Sequence, residues 1–158
     1  MLLDYRKDID GLRAIAVLLV VLFHMGLPIN GGFVGVDIFF VISGFLIASL
    51  IQKQILRGKF TFSGFYLHRM RRILPALILV IVSTFVFGWF ILMPEEFNFF
   101  ISSVIYSLVG FSNVYFYGKG QDYFAADTET IQLLHTWSLG VEEQFYFIAP
   151  IFLLILFK

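Results

Sequence analysis

Cysteine is absent from this chain of 158 residues, and charge is scarce, at 14% of residues against the roughly 25% usual in soluble domains. Without thiols there is no cysteine nucleophile, no disulfide and no thiolate metal site. The histidines, His24, His68 and His135, fall on separate segments with no i, i+4 pairing, so no metal site is expected. There is no phosphate-binding glycine loop and no nucleic-acid motif, and the zero net charge is uninformative about partners. Asp4, Arg6, Lys7, Asp8 and Asp10 precede the first apolar run and no small-residue cleavage site follows it, so a cleavable signal peptide is not expected.

Apolar residues fill the space that charge leaves. They make up 59% of the chain, with aromatics at 19%, and they fall in runs long enough to cross a bilayer, which takes about 20 residues per helix. The spacing predicts segments over 12–27, 33–51, 73–93, 97–117 and 139–157. Pro28 should stop the first. A surface helix ending at 65–72 should precede the third, with Pro75 in that segment's first turn. The fourth is laced with Asn98, Ser102, Ser103, Ser107, Ser112 and Asn113 and is either a span or re-entrant. The expected fold class is all-α: one domain over 1–158, a polytopic transmembrane helix bundle with about four to five membrane segments in a lipid bilayer.

Positive charge sets the expected orientation. Nine of the 11 Lys and Arg residues lie in two places, at Arg6, Lys7 and Arg13 and then from Lys53 to Arg72. Two crossings separate these stretches, and the turns at 26–32 and 94–96 carry no positive charge, so the N-terminus is expected in the cytoplasm of a plasma (inner) membrane protein. The side of the polar loop over 118–136 stays open.

Ionisable groups inside spans mark function, because burying them is costly unless they are paired. Arg13, His24, Asp37, Glu142 and Glu143 qualify. Ten apolar residues separate Arg13 from His24; eleven helical steps bring the two onto one face, roughly 16 Å apart along the axis. Asp37 is expected at a similar depth to His24 across a hairpin, where a carboxylate would orient the imidazole. Gly44 lies two turns beyond Asp37 on the same face, as a packing notch or a ligand contact, and Gly31 and Gly35 give only a weak close-packing motif because they sit in a link. Arg69 and Arg72 form an i, i+3 pair, read either as a lipid-facing anchor or as a phosphate clamp. Glu142 and Glu143, with Tyr146 one turn on, are either favourable charges at a helix start or groups facing a polar interior.

Several ordered blocks together resemble the acyltransferase 3 family of membrane O-acyltransferases: 5–17 with His24, 32–47 (GFVGVDIFFVISGFLI), 65–77 (FYLHRMRRILPAL) and 135–146 (HTWSLGVEEQFY). The closest likeness is to the bacterial branch that acetylates lipopolysaccharide O-antigen or related cell-envelope glycans. The resemblance implies that Arg13 and His24 form the family's essential Arg-x10-His pattern, that Arg69 and Arg72 hold the acyl-CoA donor, and that Glu142 or Glu143 works with Tyr146. It also implies a domain of roughly ten helices, of which 158 residues supply about half at about 20 residues per span.

The implied reaction moves an acetyl group from acetyl-CoA, a substrate and not a bound cofactor, to a glycan hydroxyl. His24 is the expected general base, with Asp37 or Glu143 orienting it; Arg13 stabilises or lines the donor path, and an acyl-enzyme on His24 or Ser43 is the covalent variant. Ser43 and Tyr146 join Arg69 and Arg72 as donor-binding candidates. A proton-coupled transporter, using the same intramembrane groups as a relay, is the rival reading, and an inactive fragment is a third. Oligomeric state is not legible.

Overall fold

The computed structural model describes residues 6–27, 31–119 and 131–157. Pro28 as a helix stop, Asn30, the middle of the 118–136 loop and Lys158 lie outside the described residues. Within them are six helices and no strand: α1 (Lys7–His24), α2 (Val34–Leu56), α3 (Phe62–Ile91), α4 (Pro94–Leu108), α5 (Ser112–Gly118) and α6 (Thr136–Phe157). The chain is a multi-pass membrane protein of helix-bundle class. It divides into two compact units, 1–59 with 148–158, and 60–147.

Among the described residues three helices, α2, α3 and α6, are long and apolar enough to cross a membrane. The expected first segment falls short because α1 begins at Lys7 and draws Lys7, Asp8, Asp10 and Arg13 into its 18 residues. At its start the Arg6 guanidinium hydrogen-bonds the exposed Asp8 carboxylate and holds its pKa down at about 2. The expected fourth segment is not one helix. Gly110, at φ 75°, ends α4: Phe111 N–H donates to Tyr106 O at 2.9 Å and Gly110 N–H to Ser107 O at 3.4 Å, the closing pattern that a left-handed glycine allows. The chain then restarts as α5, and neither piece is among the described helices long and apolar enough to cross a bilayer.

The expected surface helix and third segment are one continuous α3 of 30 residues, so Pro75 sits in its interior and not in a first turn. A proline there frees the carbonyl of Arg71, four residues back. The cost is tolerable where water reaches that turn, and Arg71 and Arg72 are exposed. Glu96 opens α4 by accepting the Met93 N–H at 2.9 Å.

In the first unit α1 and α2 pack as a close hairpin. An added Cβ at Gly35 would lie 2.5 Å from Ala16 O, and one at Gly32 would lie 2.6 Å from Leu19 O, whereas Gly31 has open space. Small residues let helices approach closely where lipid supplies no hydrophobic drive between them. The working pair is therefore Gly32 with Gly35, three apart, while Gly31, half of the weak motif, takes no part in the contact. In the second unit Phe100, Tyr115, Phe116, Leu133 and Leu134 form the core, and Phe97 joins α4 to α3 through ring contacts with Phe85 and Trp89 at 5.5 and 5.6 Å.

Gly35→Val should force α1 and α2 apart and lower stability by about 1–3 kcal/mol, as overpacking does. Thermal unfolding of the detergent-purified protein measures this, and Gly11→Val, at a helical position facing open space, should cost less than half as much. Equal losses for the two variants would contradict the hairpin contact.

Candidate active site

The expected residues fall into two groups, one in each unit. In the first unit, α1 carries Arg13 and His24 on a single helix, as the spacing requires. The Arg13 guanidinium lies over the Phe39 ring of α2, 5.8 Å from its centroid. His24 is exposed and contacts the Phe23 ring edge-on at 5.5 Å. Its Nδ1 is 2.8 Å from Val20 O. A carbonyl only accepts, so Nδ1 bears the proton and donates, which puts the basic lone pair of the neutral ring on Nε2.

The hairpin register corrects one expectation. Ala16 faces Gly35, Leu19 and Phe23 face Gly32, and Arg13 faces Phe39. In that antiparallel order Asp37, exposed in the first turn of α2, is level with residues near Ala16. His24 lies eight residues further along α1, about 12 Å at the helical rise. Asp37 is thus not at the depth of His24; it falls between Arg13 and His24. Ser43, half-buried, lies further down α2.

In the second unit, α3, the end of α4 and α6 line a half-open cavity of about 230 Å³. Arg69, Glu143 and Tyr146 bring its polar chemistry; Ile73, Leu74 and Leu108 are among its apolar walls. The Arg69 guanidinium sits between two rings, 5.8 Å from the centroid of Phe65 and 5.6 Å from that of Tyr146. Such stacking suits a planar, weakly hydrated cation and is worth about 0.5–2 kcal/mol per ring. Arg69 Nε is buried and makes no hydrogen bond within the protein, and a buried donor of that kind is stable when a ligand or water accepts from it. Arg72, three residues on, is exposed and adds positive charge beside Arg69 and Tyr146.

The glutamates do not open a helix. The first turn of α6 has no acidic residue; Glu142 and Glu143 lie in its second turn, past the reach of the helix-end dipole. Glu143 lines the cavity, and Glu142 is an electrostatic neighbour of Tyr146. Glu142 is also a charge neighbour of Arg69, so both glutamates border the cavity. Tyr146 is itself buried, at 7% exposure.

Sequence reasoning passed over Phe65, Tyr66 and the support beneath Glu143. An aromatic four residues before Arg69 on a helix is a legible stacking partner. Tyr66 contacts Phe147 ring to ring at 5.4 Å, closing the cavity from the α6 side. Among the described residues no group of three or more His, Asp or Glu side chains could hold a metal ion.

A family model described as an acyltransferase domain matches residues 6–158. The peptidoglycan O-acetyltransferase OatA of Listeria monocytogenes is 38% identical over 156 residues, covering 98% of this chain and 25% of that protein. YrhL of Bacillus subtilis, provisionally named a peptidoglycan O-acetyltransferase, is 42% identical over 154 residues, covering 96% and 24%. A protein of Staphylococcus aureus strain MSSA476, provisionally named an O-acetyltransferase, is 39% identical over 156 residues, covering 96% and 25%. The chain thus spans about a quarter of the length of the curated relatives it matches. No solved structure matches it.

Replacing Arg69 by lysine keeps the charge and loses the planar stack on two rings. Arg69→Lys should destabilise the purified protein by about 1–2 kcal/mol, whereas Arg72→Lys at an exposed site should stay within about 0.5 kcal/mol. Thermal unfolding of both in the same detergent tests the difference, and indistinguishable midpoints would contradict the clamp.

Proposed function

Because this chain belongs to the acyltransferase 3 family, matched over residues 6–158, we propose that it is the donor-binding part of a membrane O-acetyltransferase that moves an acetyl group from acetyl-CoA to a hydroxyl of a cell-envelope glycan. The observation that carries the reading is Arg69: a guanidinium fixed between two rings, at a cavity, with a buried N–H that the protein does not satisfy. That arrangement suits an anionic ligand, and an arginine fork pairs with phosphate oxygens in two parallel hydrogen bonds. Arg69 and Arg72 are assigned to the donor's phosphates, on the cytoplasmic side favoured by the basic charge around them. Tyr146 lies against the Arg69 guanidinium, and Glu143 is among the residues lining the same cavity.

His24 is assigned the chemistry. The Val20 carbonyl fills the tautomer-fixing role expected of a carboxylate, since it accepts from Nδ1. Nε2 takes the proton of the acceptor hydroxyl as that oxygen attacks the thioester carbonyl, and the imidazolium returns it to the departing thiolate, so that an ester and free CoA are formed. Arg13, on the same helix face, stabilises negative charge on the donor, and Asp37 and Ser43 line the neighbouring α2.

The acceptor follows the relatives. Two of them carry names specifying peptidoglycan, so a peptidoglycan hydroxyl is the preferred acceptor over the O-antigen suggested by resemblance alone. Membranes carrying the protein should transfer label from acetyl-CoA to glycan. His24→Ala should reduce transfer about 100-fold or more, the usual contribution of a general base, with normal membrane insertion. Arg69→Ala and Arg72→Ala should each weaken donor binding about tenfold, near the value of one charge-assisted hydrogen bond. Near-normal transfer by His24→Ala would overturn the base assignment, and absence of acetyl-CoA consumption by the unmutated protein would overturn the reading as a whole.

A further inference from the structure

Glu143 is gripped from behind by a polar joint that the reaction itself does not use. Gly110, the glycine that ends α4 in a left-handed turn, lies directly against the Glu143 carboxylate, so that any side chain at position 110 would collide with it. The next residue of α6, Gln144, donates from Nε2 to Gly110 O at 3.1 Å and to Asn113 Oδ1 at 2.8 Å. Asn113 donates back from Nδ2 to Gln144 Oε1 at 3.3 Å. The two amides thus form a reciprocal pair between α5 and α6, and the same glutamine ties off the carbonyl of the glycine beneath Glu143.

The joint has a second anchor about two turns earlier on α6. Ser112 Oγ donates to Thr136 O at 2.7 Å, and Ser107 Oγ pairs with Thr136 Oγ1 at 2.8 Å, with Ser107, Ser112 and Thr136 all buried. Gly140 lets α6 lie against this junction: a Cβ there would sit 2.9 Å from Asn113 Oδ1 and 3.0 Å from Ser112 Oγ. These bonds fix where α6 stands against the α4–α5 break. They thereby fix the azimuth at which Glu143 enters the cavity shared with Arg69 and Tyr146.

We propose that the Asn113–Gln144 amide pair and Gly110 are positioning residues that aim the Glu143 carboxylate into the Arg69 cavity. The inference rests on the reading of that cavity as the donor site, and adds to it a support built from the broken fourth helix. Without the pair, α6 keeps its apolar packing and its Thr136 anchor but loses the hydrogen bonds nearest Glu143, and a site side chain is set to within roughly 0.5 Å by packing and supporting hydrogen bonds together.

The test uses the intact protein purified in detergent, with two readouts. The first is the rate at which a carbodiimide modifies Glu143, followed by peptide mapping; Glu143→Gln identifies the signal. The second is the dissociation constant for CoA. Gln144→Leu should raise Glu143 labelling at least threefold and weaken CoA binding at least fivefold. In the Glu143→Gln background Gln144→Leu should change CoA affinity less than twofold, because the effect acts through the carboxylate. Asn113→Leu, which removes the partner amide but leaves Gln144 able to donate to Gly110 O, should shift both readouts in the same direction as Gln144→Leu and by a smaller factor.

Unchanged Glu143 labelling in Gln144→Leu overturns the proposal, as does an equal loss of CoA affinity with and without Glu143, or a larger effect of Asn113→Leu than of Gln144→Leu. If the unmutated protein does not bind CoA, the donor reading fails, and Glu143 labelling still decides whether the amide pair positions the carboxylate.

Discussion

A guanidinium set into the wall of a membrane protein needs partners, because the surrounding hydrocarbon offers none. Here Arg69 finds them in aromatic faces. Phe65, one turn below it on α3, and Tyr146, from α6, flank the plane at nearly equal distances. Rings stabilise the cation without using its N–H groups, and so the fork is oriented but still able to donate. An arginine paired to a carboxylate would be equally well held and chemically occupied. The stack therefore gives position and availability together, which a donor-binding site for an anion requires.

That constraint explains the form of the second unit. For Tyr146 to meet Arg69, α6 must stand at one rotation against α3, and for Glu143 to reach the same cavity the fourth membrane segment must give way. It does so at Gly110, where α4 ends and the backbone makes room for the carboxylate. Ser107, Ser112 and Asn113 of that segment, out of place in an apolar helix, are the groups that bind the break to α6, whereas Ser102 and Ser103 bond back within α4. The first unit solves a different problem: Gly32 and Gly35 bring α2 close enough to α1 for Phe39 to lie under Arg13.

Much of this was legible in the residues. Apolar runs predict helices, and α2, α3 and α6 appear where the runs are longest. The eleven-residue spacing places Arg13 and His24 on one helix. Arg69 and Tyr146 were named as candidates, but helical periodicity describes one helix at a time and cannot show that residues 77 apart meet. The depth of Asp37 was misjudged for a related reason. A hairpin's register depends on which small residues touch, and Gly31, Gly32 and Gly35 offer several registers that only packing decides. Gly110 illustrates a third limit: a lone glycine in an apolar stretch reads equally as a notch, a kink or an end.

The central claim is that the Arg69 cavity holds the donor, and a photoreactive CoA analogue tests it without requiring turnover. Irradiation of the purified protein with the analogue, followed by peptide mapping, should place cross-links on 66–74 of α3 and 143–147 of α6, displaced by excess CoA and lost in Arg69→Ala. Cross-links confined to other segments, or labelling that CoA does not displace, would contradict the account.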